Sequence, residues 1–176
     1  MLASLATIDS LFYLAATVAV IASLKVVTGS NTVHALLYLV VSLLAVAVCF
    51  YLMGAPFAAG LEVIVYAGAI LVLFVFAVLM FGLGKDETVN APKSKSVGNM
   101  FGAMLLAFAL LIELVVIINN AQMQQTLQAN VVSSKAVGIM LYGPYLLAVE
   151  IASFLLLAGL LAGYHYAKPE VQGSQL

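Results

Sequence analysis

The chain has 176 residues, 65% of them hydrophobic and only 7% charged, a composition that excludes a water-soluble globular domain and implies an integral membrane protein. A net charge of -1 without a single arginine leaves no basic patch for nucleic acid and no dense cluster for anionic lipid. One cysteine, Cys49, cannot build a disulfide or a thiolate metal cluster from this chain alone.

A helix needs about 20 apolar residues to cross roughly 30 Å of hydrocarbon. Five stretches qualify, at about residues 8–27, 33–53, 57–81, 100–118 and 142–166. None alternates polar and apolar residues as a membrane barrel strand would. The expected fold is all-α, a single membrane domain over residues 1–176 with five transmembrane helices.

The first span has no lysine before Lys25, and its apolar run is too long for a signal-peptide core, so it reads as a retained span. Ala15 and Ala19 on it form a small-residue packing pair. The second span follows Asn31 and Thr32, a plausible cap beside His34. His34 and His165 stand near the ends of spans two and five, where interfacial or helix-end roles outweigh a haem ligand pair.

The third span is the most informative. Glu62, Tyr66 and Gly68 lie inside an otherwise hydrocarbon-soluble helix. A carboxylate well inside a bilayer costs roughly 2.5 to 3.5 kcal/mol on insertion scales, so Glu62 is a functional candidate by default. Tyr66, four residues on, shares its face and can hydrogen-bond to protein or water nearby. Gly68 admits a close backbone approach or a departure from regular helix.

Residues 82–99 carry Lys85, Asp86, Glu87, Lys93 and Lys95 before span four. Glu113 precedes only five apolar residues before Asn119 and Asn120, which favours a side chain reaching the membrane interface. Residues 119–141 are rich in Asn, Gln and Ser, with Lys135 their only charge, and read as irregular or partly laid on the membrane surface. Pro144 after Gly143 suits the first turn of span five. Glu150 lies deeper in that span, either as a secondary functional candidate or as a protonated acid bonded to a neighbouring helix. Gly159 and Gly163 make a G-x-x-x-G pair, with Ala148 and Ala152 a weaker version.

With the N-terminus outside, Lys25, Lys85, Lys93, Lys95 and Lys168 fall on the cytoplasmic side and only Lys135 outside, so the expected topology is N-outside, C-inside. No internal repeat is visible, which argues against an inverted-repeat transporter. No nucleotide loop, activated nucleophile or metal-ligand spacing is present. A helix bundle with a few buried acids suits proton movement or coupling within a larger assembly.

Three motifs carry a resemblance: NTVHALLY at 31–38, LEVIVYAGAILVLFVF at 61–76, and SKAVG at 134–138 leading into GPYLLAVE at 143–150. Together they resemble the J-subunit family of bacterial NADH:quinone oxidoreductase, respiratory complex I, whose mitochondrial counterpart is NADH dehydrogenase subunit 6. The likeness runs from span one to the end of span five, and the third-span motif is its most specific part. No family role attaches to Glu113. The resemblance implies a non-redox subunit of the translocase in the bacterial cytoplasmic membrane, without catalytic activity when isolated. It implies neighbours of the A, H, K and N types, no cofactor or metal on this chain, and FMN, iron-sulfur clusters and quinone elsewhere in the complex. It also implies a π-bulge in the third helix around Tyr66 and Gly68, whose rotation opens or closes a water path beside Glu62, with apolar side chains such as Val65 and Leu73 closing it. Alternatives are a J-like subunit of a related hydrogenase or cation/proton antiporter complex, and a purely structural packing subunit.

Overall fold

A computed structural model describes residues 2–29, 31–80, 93–120 and 131–167. Helices account for nearly all of them, with no strand among the described residues. The charged stretch with Lys85, Asp86 and Glu87, the residues 121–130 and Lys168 lie outside them. Five helices are long and apolar enough to cross a membrane. The chain divides into two compact units, 1–132 and 133–176.

In the first unit, α1 (Leu2–Thr28) and α2 (Thr32–Leu52) form an antiparallel pair. The turn between them is short because Asn31 caps α2: in extended conformation, its side-chain oxygen accepts the His34 backbone N–H at 3.1 Å. The third span starts at α3 (Pro56–Leu61), continues through a π-helical segment (Glu62–Ile70) and ends as α4 (Leu71–Met80). Pro56 occupies the first turn, where its missing N–H costs nothing. Gly54, at φ 80°, makes the left-handed turn that reverses the chain between spans two and three. The fourth span is α5 (Lys93–Asn119).

Three apolar clusters define the packing. Val18 and Ala22 of α1 meet Tyr38, Val41 and Ala45 of α2 and Ala103 and Leu110 of α5. Towards the other end, Leu52 and Ile117 close on Ile8, Leu11, Phe12 and Val48. Both clusters pair the same ends, so α5 runs parallel to α2 and antiparallel to α1. Ala15, fully buried, and Ala19 let α1 and α2 approach as their small size predicts. At that contact the Ser42 hydroxyl donates to the Ala19 carbonyl at 3.2 Å. Gly102 gives α5 its approach to α2, since a Cβ there would run into the Tyr38 hydroxyl. On the other side of α2, Leu71, Val75 and Val78 of α4 pack against Leu36, Leu39, Val40 and Leu43.

The second unit comprises α6 (Ser134–Leu141) and α7 (Leu146–Ala167). The end of the stretch expected to be irregular is thus a helix, capped by the Ser133 hydroxyl accepting from the Ala136 N–H at 3.2 Å. The fifth span begins at Leu146 instead of 142 because residues 142–145, including Gly143 and Pro144, form a turn in which Tyr145 N–H reaches back to the Met140 carbonyl. Within its unit none of residues 146–166 of α7 is buried, and a Cβ at Gly159 or Gly163 would meet nothing within 4 Å.

Candidate functional site

The third span is wound too loosely to be α-helical through Glu62–Ile70. In a π-helix each amide reaches the carbonyl five residues back, and at the end of the segment Leu71 N–H donates to the Tyr66 carbonyl in that pattern. Gly68 shows why the winding needs its residue types. A Cβ at position 68 would lie 3.1 Å from the Val63 carbonyl oxygen, the atom five residues earlier. That is inside the ordinary carbon–oxygen contact range of roughly 3.3 to 3.6 Å. Glycine therefore avoids this tight contact in the π form.

Glu62 opens the segment and is half-buried. Tyr66 is 51% exposed and Leu73 68%; Val65 and Gly68 are exposed as well. The structure thus strings the gating candidates along one helix without enclosing them within this chain. No residue of the π segment is buried. Glu62 and Ala67 are the partly covered positions of the segment, and lipid is a costly surrounding for whatever part of the carboxylate the chain leaves exposed.

Anchoring differs along this span. Leu71 and Val78 of α4 are buried against α2, whereas α3 contributes only Ala59 to the buried set. Both flanks lie against α2, α3 next to the Gly54 turn with Ala59 buried and α4 through Leu71 and Val78, while the π segment between them buries no side chain.

Glu150 lies exposed on α7, where its backbone carbonyl accepts the Ser153 hydroxyl at 2.7 Å. His34 borders a small cavity with Lys25, Thr28, Asn31 and Tyr38, and its Nδ1 is buried without a partner among the described residues. His165 packs edge-on against Tyr166. No group of three or more potential metal ligands occurs among the described residues.

Glu113 departs from expectation. It does not reach the interface: it is 2% exposed, and both carboxyl oxygens lack a hydrogen-bond partner among the described residues. Counting residues to the end of α5 missed this because helical phase decides the matter. Ala103, Leu106, Leu110, Glu113 and Ile117 recur at three- and four-residue intervals, so Glu113 stands on the strip that packs against α1 and α2.

These features define a multi-pass membrane subunit whose third span is interrupted by a π segment with a carboxylate at its start. The family model for NADH-ubiquinone/plastoquinone oxidoreductase chain 6 matches residues 22–165, and the chain belongs to that family. It is 52% identical over 161 residues to NADH-quinone oxidoreductase subunit J of Pseudomonas aeruginosa, covering 92% of this chain and 97% of the relative. It is 46% identical over 165 residues to the subunit J of Escherichia coli K12, covering 94% and 89%. The subunit J of Buchnera aphidicola from Schizaphis graminum is 40% identical over 164 residues, covering 91% and 98%.

Proposed function

We propose that this chain is a membrane-arm subunit of a proton-pumping NADH:quinone oxidoreductase and that its third span gates a water path for protons. Redox cofactors, FMN and iron-sulfur clusters, belong on this reading to other subunits, and neighbours of the A, H, K and N types cover the exposed face of the π segment. The N-terminus lies outside the cytoplasmic membrane and the C-terminus inside. The observation that carries the gating role is the π segment Glu62–Ile70, which buries no side chain between two flanks, α3 and α4, that both lie against α2.

Each residue that leaves a π ladder as it tightens to α turns one flank relative to the other by about 100° and shifts it about 1.5 Å, from 3.6 residues per turn. A turn of the half that precedes the segment would carry Glu62 with it. A side-chain tip about 5 to 6 Å from the axis then moves by about 8 Å. That is enough to bring the carboxyl into or out of a water file. In the same movement, Val65 is carried relative to Leu73, so apolar side chains can replace water in the path. Moving one proton charge across 100 mV requires about 2.3 kcal/mol, so a modest bias between the two windings suffices to control leakage.

The test separates redox turnover from pumping in membranes with verified assembly. Glu62→Gln keeps size and removes the titrating group; Gly68→Leu adds bulk against Val63. NADH-driven quinone reduction and the proton gradient are measured separately, with a reduced gradient per NADH expected in both variants. If both variants pump and turn over at wild-type levels, the gating role is wrong and a packing role replaces it.

A further inference from the structure

Among the described residues, Glu113 is the one acid that this chain encloses by itself. It lies on the packing strip of α5 between two apolar clusters, one around Leu110 and the other around Ile117. The helices packed on this strip are α1 and α2, and their facing groups are hydrocarbon. At this level α1 contributes Leu11, Phe12 and the fully buried Ala15; Asp9 is exposed. From α2 come Ala45, Val48 and Leu52, with Cys49 the titratable group near enough to interact electrostatically with the carboxyl.

Neither α1 nor α2 brings a described cation to this depth. Lys25 is about 20 Å farther along α1 than Phe12, and His34 lies about 22 Å from Cys49 along α2, at 1.5 Å per residue. Neither carboxyl oxygen has a hydrogen-bond partner among the described residues. An ionised carboxylate without countercharge or hydrogen bonds in hydrocarbon is far costlier than the neutral acid.

We propose that Glu113 is a membrane-embedded proton-binding site: a neutral carboxylic acid enclosed by α1, α2 and α5 that exchanges its proton only when water enters from the Asn119 end of the bundle. That end is the nearer one, about 9 Å along α5 at 1.5 Å per residue. In the exchange, the carboxyl O–H bond breaks, the proton passes to the entering water, and the reverse step restores the acid; no electron is transferred. The site is on a different helix from Glu62 and does not depend on the π segment.

The experiment uses membranes containing the assembled complex. Dicyclohexylcarbodiimide partitions into hydrocarbon and adds to a protonated carboxyl. The acid proton goes to a carbodiimide nitrogen, the carboxyl oxygen bonds to the central carbon, and rearrangement leaves a stable N-acylurea with no atom lost. Mass spectrometry should find this adduct on the Glu113 peptide, and a water-soluble carbodiimide should leave that peptide unmodified. Infrared spectroscopy should show a neutral-acid carbonyl band that disappears in Glu113→Gln, while quinone reduction continues. Labelling of Glu113 equally by both reagents, or an infrared spectrum unchanged by Glu113→Gln, would overturn the proposal. If Glu113→Gln fails to assemble, the labelling of the wild-type complex decides alone: an adduct from the apolar reagent only supports the site, and any other pattern refutes it.

Discussion

Gly68→Ala is the sharpest perturbation of the third span, because a single methyl group would discriminate between its two windings. The new Cβ would sit 3.1 Å from the Val63 carbonyl oxygen in the π form, so one of the two must give by a few tenths of an ångström. In an α-helix the carbonyl five residues back is no longer opposed to that position, and the strain vanishes. Alanine also gains about 0.5 to 1 kcal/mol over glycine within a helix, a gain common to both forms that cancels from their ratio. What remains is the overpacking term, about 1 kcal/mol at the low end of the usual range. One kilocalorie is a factor of about five in a two-state ratio, so the π form should lose about that factor in population. In sealed vesicles, the proton gradient formed per NADH oxidised should fall while assembly stays normal, and Gly68→Leu should fall further. An unchanged gradient per NADH in both, with assembly intact, would refute the idea that this glycine sustains a functional π winding.

At the α2–α5 contact, Gly102→Ala should reduce the yield of assembled complex by overpacking, about 1 to 3 kcal/mol, because its Cβ meets the Tyr38 hydroxyl. Adding Tyr38→Phe should recover part of that yield, a coupling that a double-mutant cycle measures directly. Ser42→Ala removes the bond to the Ala19 carbonyl and should cost less, about 0.6 kcal/mol as for interhelical bonds in membranes; equal losses for Ser42→Ala and Gly102→Ala would reverse the ranking. For topology, single cysteines replacing Lys93 and Gln124 in a Cys49→Ser background should differ. An impermeant thiol reagent outside intact cells should label position 124 and spare 93, and the opposite pattern would invert the orientation.

The five spans were legible because hydrocarbon thickness imposes a length that the sequence displays directly, and their helical form follows from the need to satisfy backbone polar groups without water. Ends were harder to read. Residues 142–145 are apolar enough to extend the fifth span, yet Gly143 and Pro144 turn the chain there and the helix starts at Leu146. Burial required a different kind of information. Glu62 and Glu113 are both acids in apolar runs, but the one expected to be functional is only half-buried by its own chain, and the one expected at an interface is enclosed. Phase along α5 could have revealed Glu113, since Leu110 and Ile117 bracket it at helical spacing. No phase argument could have placed Glu62, because a π segment breaks the period on which such arguments rest.

The contrast has a physical consequence for how the subunit can work. An acid enclosed by three helices of one chain exchanges protons only by loosening that packing, which disturbs the contacts around Leu110 and Ile117 that hold the helices together. An acid at the start of a π segment that buries no side chain can be moved by a change of winding that leaves the buried contacts of α4 in place. The first arrangement favours slow, rare exchange and the second frequent switching. On the proposed function, whatever covers the exposed part of the third span would control Glu62, whereas Glu113 answers chiefly to the packing of α1, α2 and α5.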